Sequence, residues 1–208
     1  MSAAAVEGPY AHGREPLTLL EQADQLMKQL PGHRVEILGG VLTVTPPPDP
    51  SHAKGLSRLR RPFVAAGLDG GRTEVLEGLG LWLPDGPENF AVPDLSVVDA
   101  DFEDHVIEYG CCDPAVFRMV LEVTSANYVN DLRTKVTAYG AARVPVYVIV
   151  DRKHERLHVL TEPMADGYSV HRIHLAGEKV TLPESIGAEV MLDVGQVLAD
   201  ARPRASRP

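Results

Sequence analysis

The stretch Val116-Phe117-Arg118-Met119-Val120-Leu121-Glu122-Val123-Thr124 decides the reading of this chain. It is an apolar run of strand length with one carboxylate near its end. An ionised carboxylate in a buried strand is costly unless it is paired or bound to a metal, so Glu122 demands a compensating group. Downstream, a helix is expected from about Asp131 to Ala142, followed by a second short apolar run, Val144 to Val150, rich in β-branched residues. Strand, helix, strand at this spacing predicts a parallel crossover in a mixed sheet. Upstream, the run Pro93 to Val98 reads as another strand, with Asp94 at its start. If that strand lies beside the one holding Glu122, two carboxylates converge.

Further out, Thr73 to Leu83 reads as extended. His33 to Leu38 and Val41 to Thr45 are β-prone and joined by Gly39-Gly40, a pair that permits positive φ in a two-residue turn, so they predict a hairpin. Leu19, Leu20, Ala23, Leu26, Met27 and Leu30 follow helical spacing, Thr18 and Glu21 suit a capping box, and Pro31-Gly32 ends the run. The proline stretch Pro46 to Pro50 cannot continue a central strand. Asp49-Pro50 starts a helix expected to run toward Arg61, where Pro62 ends or kinks it. Beyond Leu157 the chain reads as hairpins and a short terminal segment. The expected organisation is one α/β domain over residues 16–198, with disordered ends at 1–15 and 199–208.

Composition narrows the function classes. No apolar run approaches the roughly 18 residues of a membrane span. The first fifteen residues do not read as a signal peptide, so a cytoplasmic location without membrane contact is expected. Cys111 and Cys112 are adjacent, where a disulfide would be strained, and two cysteines alone make no zinc site; both are expected to stay thiols. The net charge of −9 opposes non-specific nucleic-acid binding. An acidic metal site accounts for part of that charge until cations fill it, and a local basic face can coexist with an acidic remainder.

The chemistry centres on Asp94 and Glu122. Oxygen donors with water suit Mg²⁺ or Mn²⁺ better than Zn²⁺. Lys135 follows Glu122 by thirteen residues on the next helix, with Asp131 four residues before it and Tyr139 four after. Its ammonium can reach the sheet, position an attacking water and offset charge on a scissile phosphate. On this reading the Asp131 pair is an exposed helical ion pair, whose loss leaves stability near wild type. Glu36 alternates against Val35 and Ile37, so it points at the site or at solvent.

With these residues in view, the chain from about Leu17 to Leu160 resembles the Uma-two family, grouped with restriction endonucleases in the PD-(D/E)XK superfamily. The carriers are Val35 to Leu42, Pro47 to His52, Val92-Pro93-Asp94-Leu95, Leu121 to Ser125, Asp131 to Lys135 with Tyr139, and Val144 to Asp151. The position two after Glu122 holds Thr124 in place of a lysine, and the charge lies on the next helix at Lys135. Ser125-Ala126-Asn127 lacks a proline common after that serine, and Pro62 interrupts a helix that is usually continuous. The resemblance implies a restriction-endonuclease-like mixed β-sheet flanked by helices, with Asp94 and Glu122 as metal ligands and Glu36 in support.

The expected function is therefore a Mg²⁺- or Mn²⁺-dependent endonuclease hydrolysing phosphodiester bonds in DNA, with a homodimer as a possible arrangement. The alternative is a non-catalytic binding or regulatory module that retains the fold, favoured by the net charge and by the lack of a DNA-reading motif. His52 and the series Lys54, Arg58 and Arg61, which share one face of a continuous helix, are the candidate substrate contacts. A solvated charged face is the commoner reading of such a series. His154 and His158 mimic a helical metal pair but flank an expected hairpin. Trp82 and Phe90 read as core.

Overall fold

The computed structural model describes residues 16–48, 50–124 and 130–202, with the side chains of Asn130 and Asp131 outside that description. In chain order the elements are α1 (Leu19–Gln29), β1 (Arg34–Leu38), β2 (Val41–Thr45), α2 (Pro50–Leu59), α3 (Arg61–Ala65), β3 (Thr73–Leu76), β4 (Gly80–Trp82), β5 (Phe90–Ala91) and β6 (Leu95–Asp99). They continue with β7 (Val106–Glu108), β8 (Cys111–Cys112), β9 (Phe117–Val123), α4 (Lys135–Ala141), β10 (Val146–Asp151), β11 (Arg156–Met164), β12 (Gly167–Leu175), β13 (Lys179–Leu182), β14 (Val190–Asp193) and α5 (Val194–Ala201). No helix among the described residues is long and apolar enough to cross a membrane.

The central sheet runs β12-β11-β10-β9-β6-β3, and only β9 and β10 pair in parallel; the other neighbours are antiparallel. The β9–α4–β10 unit is thus the crossover expected from the apolar runs. β9 sorts its side chains by face. Met119, Leu121 and Val123 join Val146, Val148 and Val150 in a cluster covered by α2 and α5, whereas Phe117 and Val120 join Tyr147 and Ile149 on the opposite face beneath α4. Glu122 follows Val120 by two residues and lies on this second face.

A second sheet, ordered β2-β1-β5-β4-β8-β7, covers that face. Its Leu38, Leu81, Leu83 and Ala91 pack with Val120 and Tyr147, while Val35 and Ile37 of β1 turn away to pack with Leu20 and Ala23 of α1. Alternation along β1 therefore aims Arg34 and Glu36 inward, toward the central sheet. The β1–β2 turn has Gly39 and Gly40 both at positive φ, as the hairpin requires. α1 carries the full capping box: the Glu21 amide donates to the Thr18 hydroxyl and the Thr18 amide to the Glu21 carboxylate.

Two expectations change and two are met with added detail. The extended run 73–83 divides at Glu77-Gly78, where Gly78 takes φ +68°, and β3 and β4 enter different sheets. As expected, the helix running toward Arg61 is interrupted near Pro62: α2 stops at Leu59 and α3 restarts at Arg61 with Pro62 in its first turn, because the proline nitrogen has no proton to continue the ladder. The helix expected from about Asp131 to Ala142 is present as a π-helical turn over Asn130–Thr134 that runs directly into α4, which Lys135 begins. The terminal segment is a helix, α5, capped by Asp193, whose side chain accepts the Gln196 amide; it extends through Ala201, into the stretch expected to be disordered. Residues 1–15 and 203–208 lie outside the described residues.

Candidate metal centre

β6 and β9 are adjacent and antiparallel, with Leu95 opposite Leu121, so one further step brings Asp94 beside Glu122. Asp94 Oδ2 accepts the Val123 amide at 2.8 Å across this junction. Lys135, in the first turn of α4, donates to Glu122 Oε1 at 2.7 Å, and the Tyr139 hydroxyl one turn later donates to the same oxygen at 2.8 Å. Glu36 arrives from β1. Its Oε1 accepts the Val92 amide at 2.8 Å and stands 3.1 Å from Lys135 Nζ. Glu36, Asp94, Glu122 and Lys135 are all buried.

One more residue completes the cluster. Arg34 Nη2 donates to Asp94 Oδ1 at 2.6 Å and its Nη1 lies 3.9 Å from Glu122 Oε2, so one guanidinium spans both carboxylates. His52 Nε2 is 3.6 Å from the same Asp94 oxygen. Burial pushes the Asp94 carboxyl upward, but the His52 imidazole, the Arg34 guanidinium and the Val123 amide outweigh it and hold Asp94 well below the usual carboxylate range. His52 stands beyond hydrogen-bonding distance and Arg34 well within it, so the guanidinium is the cause on which this direction rests. Burial and the carboxylates of Glu122 and Glu36 raise the Tyr139 phenol well above its ordinary value, which keeps it protonated as a donor.

The four central sequence candidates thus meet, and His52 stands at their edge. The basic series does not stay together. Lys54 is exposed on α2, Arg61 is exposed on α3, and Arg58 donates to Asp200 of α5 at 3.0 Å. The expected Lys135–Asp131 pair involves a side chain outside the described residues, and the partners seen for Lys135 are the buried carboxylates of Glu122 and Glu36. Arg34 was not singled out from sequence. Its only signal was the two-residue spacing from Glu36 in β1. Cys111 and Cys112 are buried free thiols, and burial pushes the Cys111 thiol up to about 12, which leaves it unreactive.

The donor chemistry of Asp94, Glu122 and Glu36 suits an oxygen-seeking dication. As the side chains stand, however, Arg34 bridges Asp94 and Glu122, and no trio of His, Cys, Asp or Glu among the described residues is gathered for an ion.

A mixed sheet with a β–α–β crossover, an antiparallel strand on its flank and helices on its faces defines the class as a restriction-endonuclease-like α/β protein. The profile of the Uma2 family, described as "putative restriction endonuclease", matches residues 20–195, and the chain belongs to that family. Among solved structures, a crystal structure titled as a "putative nuclease belonging to DUF820" from Anabaena variabilis ATCC 29413 superposes with a TM-score of 0.63 at 16% identity. The match covers 90% of this chain and 100% of that one, and it establishes a shared fold. No curated protein matches the chain.

Proposed function

We propose that the chain is an endonuclease that hydrolyses phosphodiester bonds in DNA with Mg²⁺ or Mn²⁺ held by Asp94 and Glu122, and with Glu36 in support. The observation that carries this reading is a charge imbalance. Among the described residues, three buried carboxylates, Glu36, Asp94 and Glu122, face two permanently charged cations, Arg34 and Lys135. Concentrating carboxylates in a low-dielectric site costs stability, and a cation-binding role gives that cost a purpose.

A divalent ion there would supply Lewis-acid stabilisation of charge developing on the phosphate. The chain's own part is positional. Lys135, fixed between Glu122 and Glu36, orients the attacking water and offsets phosphate charge, and Tyr139 holds Glu122 in place by its hydroxyl. His52, Lys54 and Arg61 are the proposed contacts to the DNA backbone. Arg58 contributes through its ion pair with Asp200.

A second reading, a non-catalytic module retaining the fold, is favoured by one observation: Arg34 already pairs with Asp94. The test is cleavage of supercoiled, linear and single-stranded DNA by the full chain, with Mg²⁺ or Mn²⁺ and with chelator. The proposal expects metal-dependent cleavage that Glu122→Gln abolishes. Absence of cleavage on every substrate favours the non-catalytic module, whereas undiminished cleavage by the variant removes Glu122 from the catalytic site.

A further inference from the structure

We propose that Arg34 is a resident counter-ion that an incoming divalent cation displaces from Asp94, and that its freed guanidinium then contacts the substrate phosphate. This rests on the reading of Asp94 and Glu122 as metal ligands. The geometry begins the argument. The guanidinium lies 2.6 Å from Asp94 Oδ1 and 3.9 Å from Glu122 Oε2, between the two groups that would hold the ion. Such carboxylates need a cation at all times, because a buried charge left without its partner is strongly destabilising. Arg34 meets that need in the metal-free chain.

A dication and Arg34 cannot both hold these contacts. Mg²⁺ binds oxygen at about 2.0–2.1 Å, so an ion on Asp94 Oδ1 would face a like charge only a hydrogen bond away. The two resident cations differ in which can move. Lys135 is 4% exposed and fixed between Glu122 and Glu36, whereas Arg34 is 23% exposed. Arg34 also lines a cleft of about 440 Å³ together with His33, Pro48, Leu56 and Val92. Its exit therefore leads into this cleft. Burial opposes the charge on Arg34, but Asp94, Glu122 and Glu36 outweigh it, so the group stays cationic. A planar guanidinium offers a phosphate two parallel donors, which suits it to the second contact.

The test follows the arginine side-chain ¹⁵N resonances of the full chain during a Mg²⁺ titration, with Arg34 assigned through Arg34→Gln and metal binding read independently from the rise in Tm. The expected result is a slowly rotating Arg34 guanidinium without metal that becomes freely rotating as Mg²⁺ saturates. Asp94→Asn combined with Glu122→Gln should abolish the Tm response. If Mg²⁺ raises Tm through Asp94 and Glu122 while the Arg34 signals stay unchanged, displacement is overturned and the metal reading stands. If Mg²⁺ has no effect on Tm in the wild type, the metal reading fails and the inference with it. The phosphate half is read from the salt dependence of binding to cleavage-resistant DNA. With Mg²⁺ present, Arg34→Gln should lower the slope by about 0.9, the value for one lost phosphate contact, and without metal the two slopes should coincide. Equal slopes with Mg²⁺ present overturn the phosphate contact.

Discussion

Two buried aspartates stand at strand ends on the central sheet, and their surroundings differ. Asp94, before β6, has one oxygen on the Arg34 guanidinium and the other on the Val123 amide, with Glu122 beside it. Asp151, at the end of β10, accepts the Lys153 and His154 amides on Oδ1, while its Oδ2 faces His154 Nδ1 at 2.8 Å and His158 Nε2 at 3.6 Å. The amide bonds at Asp151 close the turn between β10 and β11, which is a structural task. Its compensating side chains are imidazoles, whereas around Asp94 and Glu122 a guanidinium and an ammonium join the His52 imidazole. Burial of a carboxylate alone therefore does not mark a functional site. The accumulation of carboxylates against Arg34 and Lys135 is what sets the proposed site apart.

The largest expected effect falls on Lys135. Because its partners are buried, Lys135→Ala should cost about 3–5 kcal/mol of stability, in place of the negligible loss expected for an exposed pair with Asp131. It should also lower the single-turnover cleavage rate by on the order of 10²-fold to 10³-fold. Lys135→Arg keeps the charge and should recover much of the stability without the rate. Chemical denaturation and single-turnover kinetics check both; a loss below about 1 kcal/mol in the Ala variant would place Lys135 outside the buried network.

The histidine region should respond to pH. Burial, followed by the neighbouring His171, lowers His158 below the ordinary imidazole value, and burial lowers His171 too. Their rings meet at 2.8 Å, Nδ1 to Nε2, a contact that holds one proton and not two. Since both folded values lie below the unfolded value of about 6.5, the unfolded chain takes up protons first as pH falls, and stability declines from about pH 6.5 downward. Asp151 has the same slope at lower pH. Burial raises it, but the His154 bonds outweigh burial and lower its value, so the stability it contributes is present above about 3.9 and is lost as pH falls further. Replacing His158 and His171 by Gln should flatten the curve between pH 7 and 5. A wild-type chain that gains stability over that interval would contradict the assignment.

The smallest effect is expected at Arg58. Its partly exposed pair with Asp200 should be worth about 0.2–1 kcal/mol in a double-mutant cycle. Arg58→Ala should leave the salt slope of DNA binding unchanged, while Lys54→Ala lowers it by about one. A slope change of that size in Arg58→Ala would return this residue to the DNA face.

Most of this contrast was legible in the sequence wherever local pattern and function agreed. The apolar runs around Glu122 and Val144 predicted the crossover, and Glu122 within the first run is where the candidates converge, whereas Arg118 in the same run is exposed and pairs with Asp99. Asp94, Glu122, Lys135 and Glu36 stood out because each interrupts or follows a strand pattern. Arg34 did not, since its partner is sixty positions away and the contact exists only because one sheet lies across another. The split of 73–83 between two sheets is likewise tertiary, set by where β5 and β8 capture β4. The helical spacing of Val194, Val197, Leu198 and Ala201 was present, but the segment is short enough that its packing on α2 decides the outcome.

The most direct test is a Mn²⁺ titration read by electron paramagnetic resonance on three proteins: the wild type, Asp94→Asn with Glu122→Gln, and Asp151→Asn. The account predicts a saturable site in the wild type that survives Asp151→Asn and disappears in the double variant. Unchanged binding in the double variant, or loss of the site in Asp151→Asn alone, would contradict it.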